Sequence, residues 1–240
     1  MNYSLNHVWI QAVRLQKQDA LSCPIPDALI ENTRINAAAN IGVPVNIWVD
    51  LCGVGETDSD VITMLNTQES APNITYRSLD EITRYKTDPL FKIKPQDQEK
   101  IIWEQVDVAR LLVLEHMLDS SKEAAIYSDM DMNLQDSRFH KALNILEEFG
   151  AVVMELHDHG GLENGFFGFK QSKKAFLSEE LLDAEAEKPT GLTTYYDIFY
   201  AAFEGRTEQY GFSLDEVSTP VLQLENAALI KQNYQSADLH

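Results

Sequence analysis

Apolar positions along the chain fall into two rhythms. "NHVWIQA" near the start and "VPVNIWVD" further on are short apolar runs rich in strand formers, and both read as buried strands. Between them "SCPIPDALIENTRINAAANIG" reads as a turn and then a helix that ends at Gly42. A Gly-rich loop, "LCGVGETDSD", closes the second strand, and "ITYRSLDEI" is a third strand passing into a loop. The strongest helix is "PQDQEKIIWEQVDVARLLVLEHMLDSS". There Ile101, Ile102, Val106, Ala109, Leu112, Val113 and Met117 recur at near-helical spacing, with Glu104, Asp107, Arg110 and Glu115 between them. The strand "AAIYSDMDM" follows at once, then the helix "DSRFHKALNILEEFG", the strand "AVVMEL", a polar loop "HDHGGLENG" and the strand "FFGFK". Alternation of this kind through residue 170 predicts an α/β fold with a mostly parallel central sheet flanked by helices, its ligand site at the carboxyl edge of the strands. Residues 171–240 read as mainly helical. No repeat, linker or low-complexity segment divides the chain, so the expectation is one domain, with 1–170 as the α/β core and 171–240 as an acceptor or lid region.

Composition narrows the function. The chain has 240 residues, 44% of them hydrophobic, enough for a substantial core. Lys and Arg total 19 against 38 Asp and Glu, a formal net charge of −19, which excludes broad electrostatic attraction to nucleic acid or anionic lipid. An anionic substrate then needs a local exception, a metal ion or a placed arginine. No apolar run approaches the roughly 20 residues that span a bilayer. "MNYSLNHVWIQAVRLQKQ" lacks the uncharged apolar core of a cleaved signal, so the expectation is a soluble protein, cytoplasmic or secreted by another route. Two cysteines, Cys23 and Cys52, make neither a disulfide framework nor a metal knuckle.

The stretch "AIYSDMDMN" holds the candidate chemistry. A strand that ends in two carboxylates one residue apart, Asp129 and Asp131, delivers hard oxygen donors to the carboxyl edge. Mg²⁺ or Mn²⁺ suits such donors, because these ions bridge one or two protein carboxylates to substrate phosphates. The competing reading is an exposed Asp-rich turn. Asp107 and Arg110, three apart on one helix, share a side of it, as site residues or as a solvated ion pair. Gly165 and Gly168 in "ENGFFGFK" permit close backbone approach, while "ENG" by itself reads as the turn into that strand. His157 and His159 in "HDHGG" have metal-like spacing but no third ligand, and read as a solvated loop or as a base near an acceptor.

The segment "WEQVDVARLLVLEHMLDSSKEAAIYSDMDMN" resembles the nucleotide-sugar site of GT-A glycosyltransferases, in which a helix carrying Asp-x-x-Arg runs into a strand ending in D-x-D. It is similar to the large clostridial glucosylating toxins, the initiating α-1,6-mannosyltransferases and the arginine-GlcNAc transferase effectors. "NHVWIQ" and "VNIWVD" resemble the first two strands of the toxin group, "GLENGFFGFKQS" the Glu-Asn-Gly strand of the effectors, and "PTGLTTYYD" the Thr-Gly stretch of the mannosyltransferases. The resemblance implies a GT-A-type fold and a UDP-sugar-dependent hexosyltransferase with Mn²⁺ or Mg²⁺. Its donor is a nucleotide sugar and its acceptor a protein side chain or a glycan, as for an effector in a host cytosol. It implies that Asp131 and Asp129 hold the metal, and that Trp9, Asp107, Arg110, Tyr127 and Asp129 hold the nucleotide sugar. Glu163 and Asn164 would then act with the two aspartates at the reacting sugar. The chain has "SKEAA" where the family has Gly-Gly, and Asn233, Tyr234 and Ser236 in place of its C-terminal Trp and Ser lid. Two other readings are a haloacid-dehalogenase-type phosphatase with Asp129 as nucleophile, and a catalytically inactive GT-A-like binding protein.

Overall fold

The computed structural model describes residues 1–11, 25–51, 58–93, 101–120, 122–135, 137–156, 161–183 and 211–213. Among the described residues seven strands, β1 Tyr3–Ile10, β2 Val45–Asp50, β3 Ile74–Ser78, β4 Ala124–Ser128, β5 Ala151–Leu156, β6 Gly161–Lys170 and β7 Gly211–Ser213, form one sheet in the order β3-β2-β1-β4-β6-β5-β7. All run parallel except β6, which is antiparallel to both β4 and β5. The helices are α1 Asp27–Ala39, α2 Asp58–Gln68, α3 Thr83–Thr87, α4 Ile101–Asp119 and α5 Ser137–Phe149, with a further helical segment over Phe176–Asp183.

Strand alternation sorts the core into two layers. On one face Val8, Trp48, Ala125, Tyr127, Phe167 and Phe169 pack against α4, which is in turn covered by Tyr85 of α3 and by Leu177 and Leu181. On the other, Leu5, Ile47, Val49, Ile126 and Phe166 pack beneath α1, α2 and α5. Helix α4 is covered on nearly all sides, so its apolar residues are not confined to one stripe. Gly150 ends α5 at φ 80°, where its N–H donates to Leu146 O at 2.9 Å, a left-handed helix end that favours glycine.

Three expectations are corrected. Gly161–Asn164 belong to β6 and not to a polar loop or turn, because the strand continues past "ENG" through a bulge. On one side of it Val153 pairs with Phe167, on the other Met154 pairs with Glu163, so Asn164, Gly165 and Phe166 lie opposite a single step of β5. Strand β7, in the region expected to be mainly helical, completes the sheet beside β5. Helix α2 begins in the "DSD" assigned to a loop and continues through a segment where no helix was expected, on the strength of Val61 and Leu65 packed in the core. His157, His159, Cys23, Cys52, "PTGLTTYYD" and the C-terminal lid residues lie outside the described residues.

Candidate active site

The end of β4 and the middle of α4 meet at one level for a geometric reason. A helix rises about 1.5 Å per residue and a strand about 3.3 Å. Arg110, halfway up α4, therefore stands level with the end of β4, where the chain leaves the sheet at Asp129. The Asp129 N–H donates to Gly165 O in the β6 bulge at 2.7 Å, and Met132 N–H donates back to Asp129 O at 3.2 Å. This turn buries Met130 and Met132 in the core and leaves Asp129 and Asp131 partly exposed.

Arg110 is the hub. Its Nη2 donates to Asp129 Oδ1 at 3.1 Å, and its Nη1 donates to Asn164 O at 3.1 Å and lies 3.3 Å from Asp107 Oδ1. Asn164 Nδ2 donates to the same Asp107 Oδ1 at 2.8 Å. The Tyr127 hydroxyl donates to Asp129 Oδ1, and its ring lies under the guanidinium, 4.8 Å from ring centroid to Cζ. Burial pushes the Tyr127 phenol well above its usual pKa, against the pull of Arg110, so it stays a proton donor to the carboxylate. Asp107, Arg110, Tyr127, Asp129 and Asn164, drawn from α4, β4 and β6, thus form one closed polar cluster. Two carboxylates share one buried guanidinium, which leaves the group anionic and rich in acceptors for hydroxyl donors.

Asp131 lies in the turn beyond the cluster. Trp9 is on the opposite sheet face, half-buried against the second apolar layer, with its Nε1 donating to Gln11 Oε1 at 3.2 Å. The backbone of Glu163 pairs with Met154 beside the bulge. Among the described residues no group of three or more His, Cys, Asp or Glu is gathered as a metal site.

Sequence reasoning missed four residues around this cluster. His7, fully buried on β1, donates from Nδ1 to Ser128 O at 2.6 Å. Asn32 and Asn36 of α1 bind the turn after Asp129. Trp103 is 49% exposed and shares the α4 side of Asp107 and Arg110, about 10 Å beyond Arg110 at helical rise. Its spacing of four from Asp107 was the available signal.

Gly165 is confined by the cluster. A Cβ there would sit 2.9 Å from Asp129 Oδ2. Gly165→Ala is expected to cost about 1–3 kcal/mol of stability by overpacking. In a denaturant double-mutant cycle most of that loss should vanish in an Asp129→Ala background; an unchanged loss would place the clash elsewhere.

The fold is a GT-A-type α/β fold, a mostly parallel sheet flanked by helices. Among solved structures, a transferase bearing two cysteine-to-serine substitutions superposes with a TM-score of 0.58 at 14% identity, over 92% of this chain and 94% of that one. A protein described as a nucleotide-diphospho-sugar transferase from Desulfovibrio desulfuricans G20 gives a TM-score of 0.49 at 13% identity, over 97% and 98% of the two chains. The PaToxG glycosyltransferase gives 0.49 at 14% identity, over 99% of this chain and 77% of that one. At 14% identity the likeness to the first of these is one of fold alone. No protein-family model and no curated protein matches the sequence. Among the described residues no helix is long and apolar enough to cross a membrane.

Proposed function

We propose that the chain is a metal-dependent glycosyltransferase that moves a sugar from a UDP-linked donor to an acceptor. The observation that supports this best is the closed cluster of Asp107, Arg110, Tyr127, Asp129 and Asn164 at the carboxyl end of β4. In a mostly parallel sheet, that edge is where ligands bind. The carboxylates of Asp107 and Asp129, oriented by Arg110, accept hydrogen bonds from sugar or ribose hydroxyls. Asn164 fixes Asp107, and Glu163 beside it serves the reacting sugar or the acceptor. Trp9 stacks on the base, and Trp103 offers a flat apolar wall further out. A protein side chain as acceptor, and an effector's place of action, rest on likeness to the toxin and effector groups alone.

The donor set fits Mn²⁺ or Mg²⁺ in type. Asp131, with Asp129 beside it, supplies hard oxygens, and these ions take one or two carboxylates and complete their shell from diphosphate and water. Bound there, the ion would neutralise charge on the departing nucleoside diphosphate.

The test is release of nucleoside diphosphate from a panel of nucleotide sugars with Mn²⁺. Asp131→Asn and Asp129→Asn are expected to lower turnover at least a hundredfold, on the scale of lost transition-state electrostatics. Absence of turnover and of binding with every donor, or equal rates in wild type and both variants, would sink the proposal. Phosphomonoester hydrolysis abolished by Asp129→Asn would point to the phosphatase chemistry instead.

A further inference from the structure

Helix α1 carries asparagine at positions 32 and 36, and Asn40 caps its C-terminus, each four residues after the last. Asn32 is 3% exposed and Asn36 1%, on the face packed against the core, where burial of an amide costs free energy unless its bonds are met. All three amides bond one short segment. Asn32 Nδ2 donates to Met130 O at 2.7 Å and to Met132 O at 2.9 Å. Asn36 Nδ2 donates to Met132 O at 2.7 Å, while its Oδ1 accepts from Leu134 N–H at 2.9 Å. Asn40 Nδ2 reaches Leu134 O at 3.2 Å.

We propose that Asn32 and Asn36 are positioning residues that hold the Asp129–Leu134 segment in the conformation that presents Asp131 to the diphosphate of a nucleotide donor. The proposal rests on the functional reading above. Both carbonyls, Met130 O and Met132 O, are drawn toward α1. A trans peptide carries its C=O and the next N–H on opposite sides, and the described chain has no cis peptide. The N–H groups of Asp131 and Asn133 are therefore turned away from α1. Asn36 fixes the register from both ends of its amide, one donor and one acceptor two residues apart. Asn32 donates to its two carbonyls at a cost, since its Oδ1 is buried with no hydrogen-bond partner among the described residues. Packing alone gives no reason to carry that orphan, because leucine would fill the same face.

The experiment compares wild type, Asn36→Leu and Asn36→Asp by amide hydrogen exchange and by calorimetric binding of UDP with Mn²⁺. Asn36→Leu is expected to speed exchange at Leu134 while leaving β1 and β2 protected, and to weaken UDP binding about tenfold or more, as loss of a supporting shell does at metal sites. Asn36→Asp keeps the acceptor for Leu134 N–H but loses the donor to Met132 O. At neutral pH it should bind UDP at least as weakly as Asn36→Leu, because a carboxylate has no hydrogen to donate to the Met132 carbonyl. A ladder that only packs predicts near wild-type affinity in Asn36→Asp, which keeps the side-chain volume, and that result would overturn the proposal. So would wild-type affinity in Asn36→Leu, or uniformly faster exchange across the sheet with affinity falling in step. Wild-type protein that binds no nucleotide overturns the functional reading itself, and the presenting role with it. Nucleotide binding that Asn36→Leu leaves intact overturns the positioning role alone.

Discussion

Arg110→Met should lower the unfolding free energy by about 2–4 kcal/mol, among the largest effects of any single substitution outside the apolar core. The guanidinium side chain is 11% exposed and faces Asp107 at 3.3 Å and Asp129 at 3.1 Å. Methionine fills most of its volume, so the loss is one of charge and hydrogen bonding. Two carboxylates then face each other without their shared cation, and Asn164 O loses its donor. Because Asp129 is 34% exposed and Asp107 21%, water relieves part of the penalty, which places the expectation below that of a fully buried pair. Arg110→Lys should recover little, since a single ammonium cannot bridge both carboxylates and the Asn164 carbonyl with the fork geometry of a guanidinium. Urea denaturation measures each variant. Adding Asp129→Asn to Arg110→Met should return more than 1 kcal/mol, because it removes one of the stranded charges. A loss below about 1 kcal/mol for Arg110→Met would mean that the cluster is a solvated surface pair. Donor binding should fall in Arg110→Met as well, because Asp107 and Asp129 no longer hold their orientation.

This cluster was legible in part, and the reason lies in how far apart its members are in sequence. The spacing of Asp107 and Arg110 on a helix is a local signal, and Asp129 at the end of an apolar strand is another. Nothing in spacing connects either of them to Asn164, which joins only because β6 returns antiparallel beside β4 and bulges at the level of Asp129. The family resemblance, not the apolar pattern, brought Asn164 into the site. Glu163-Asn164-Gly165 has the composition of a turn, and tertiary pairing overrode that local preference. The parallel strands and α4 were plain because burial on both faces leaves continuous apolar runs. The asparagines of α1 were opaque for the opposite reason: in sequence they look like a solvated face, while in the fold they meet the carbonyls of a turn some hundred residues away. Strand β7 is three residues long and has no pattern from which to be read.

Stability should also fall on acidification below about pH 6.5, through His7. The ring is fully buried, and Nδ1 must carry its hydrogen because Ser128 O can only accept. Burial lowers the His7 pKa from its ordinary value; the Ser128 carbonyl and the Asp129 charge oppose that shift without overcoming it. The folded protein therefore keeps His7 neutral at a pH where the unfolded chain has already taken up the proton. The sign follows. Above the unfolded pKa neither state binds the proton, and His7 makes no pH-dependent contribution. Below it the unfolded state gains a proton that the native state lacks, and stability drops by up to about 1.4 kcal/mol per pH unit until the folded-state pKa is passed. His116 on α4 is shifted downward too, by burial and by Arg77, and adds to the slope of the wild type. His7→Asn isolates the contribution of His7, because its Nδ2 can still donate to Ser128 O and it does not titrate. The variant should be less stable at pH 7.5 by about 1–2 kcal/mol for the cavity it leaves. Its stability should then decline more gently with acid, so that the two curves converge between pH 6.5 and the folded-state pKa of His7. Parallel curves would show that His7 titrates alike in both states, which would contradict its burial beside the last carbonyl of β4.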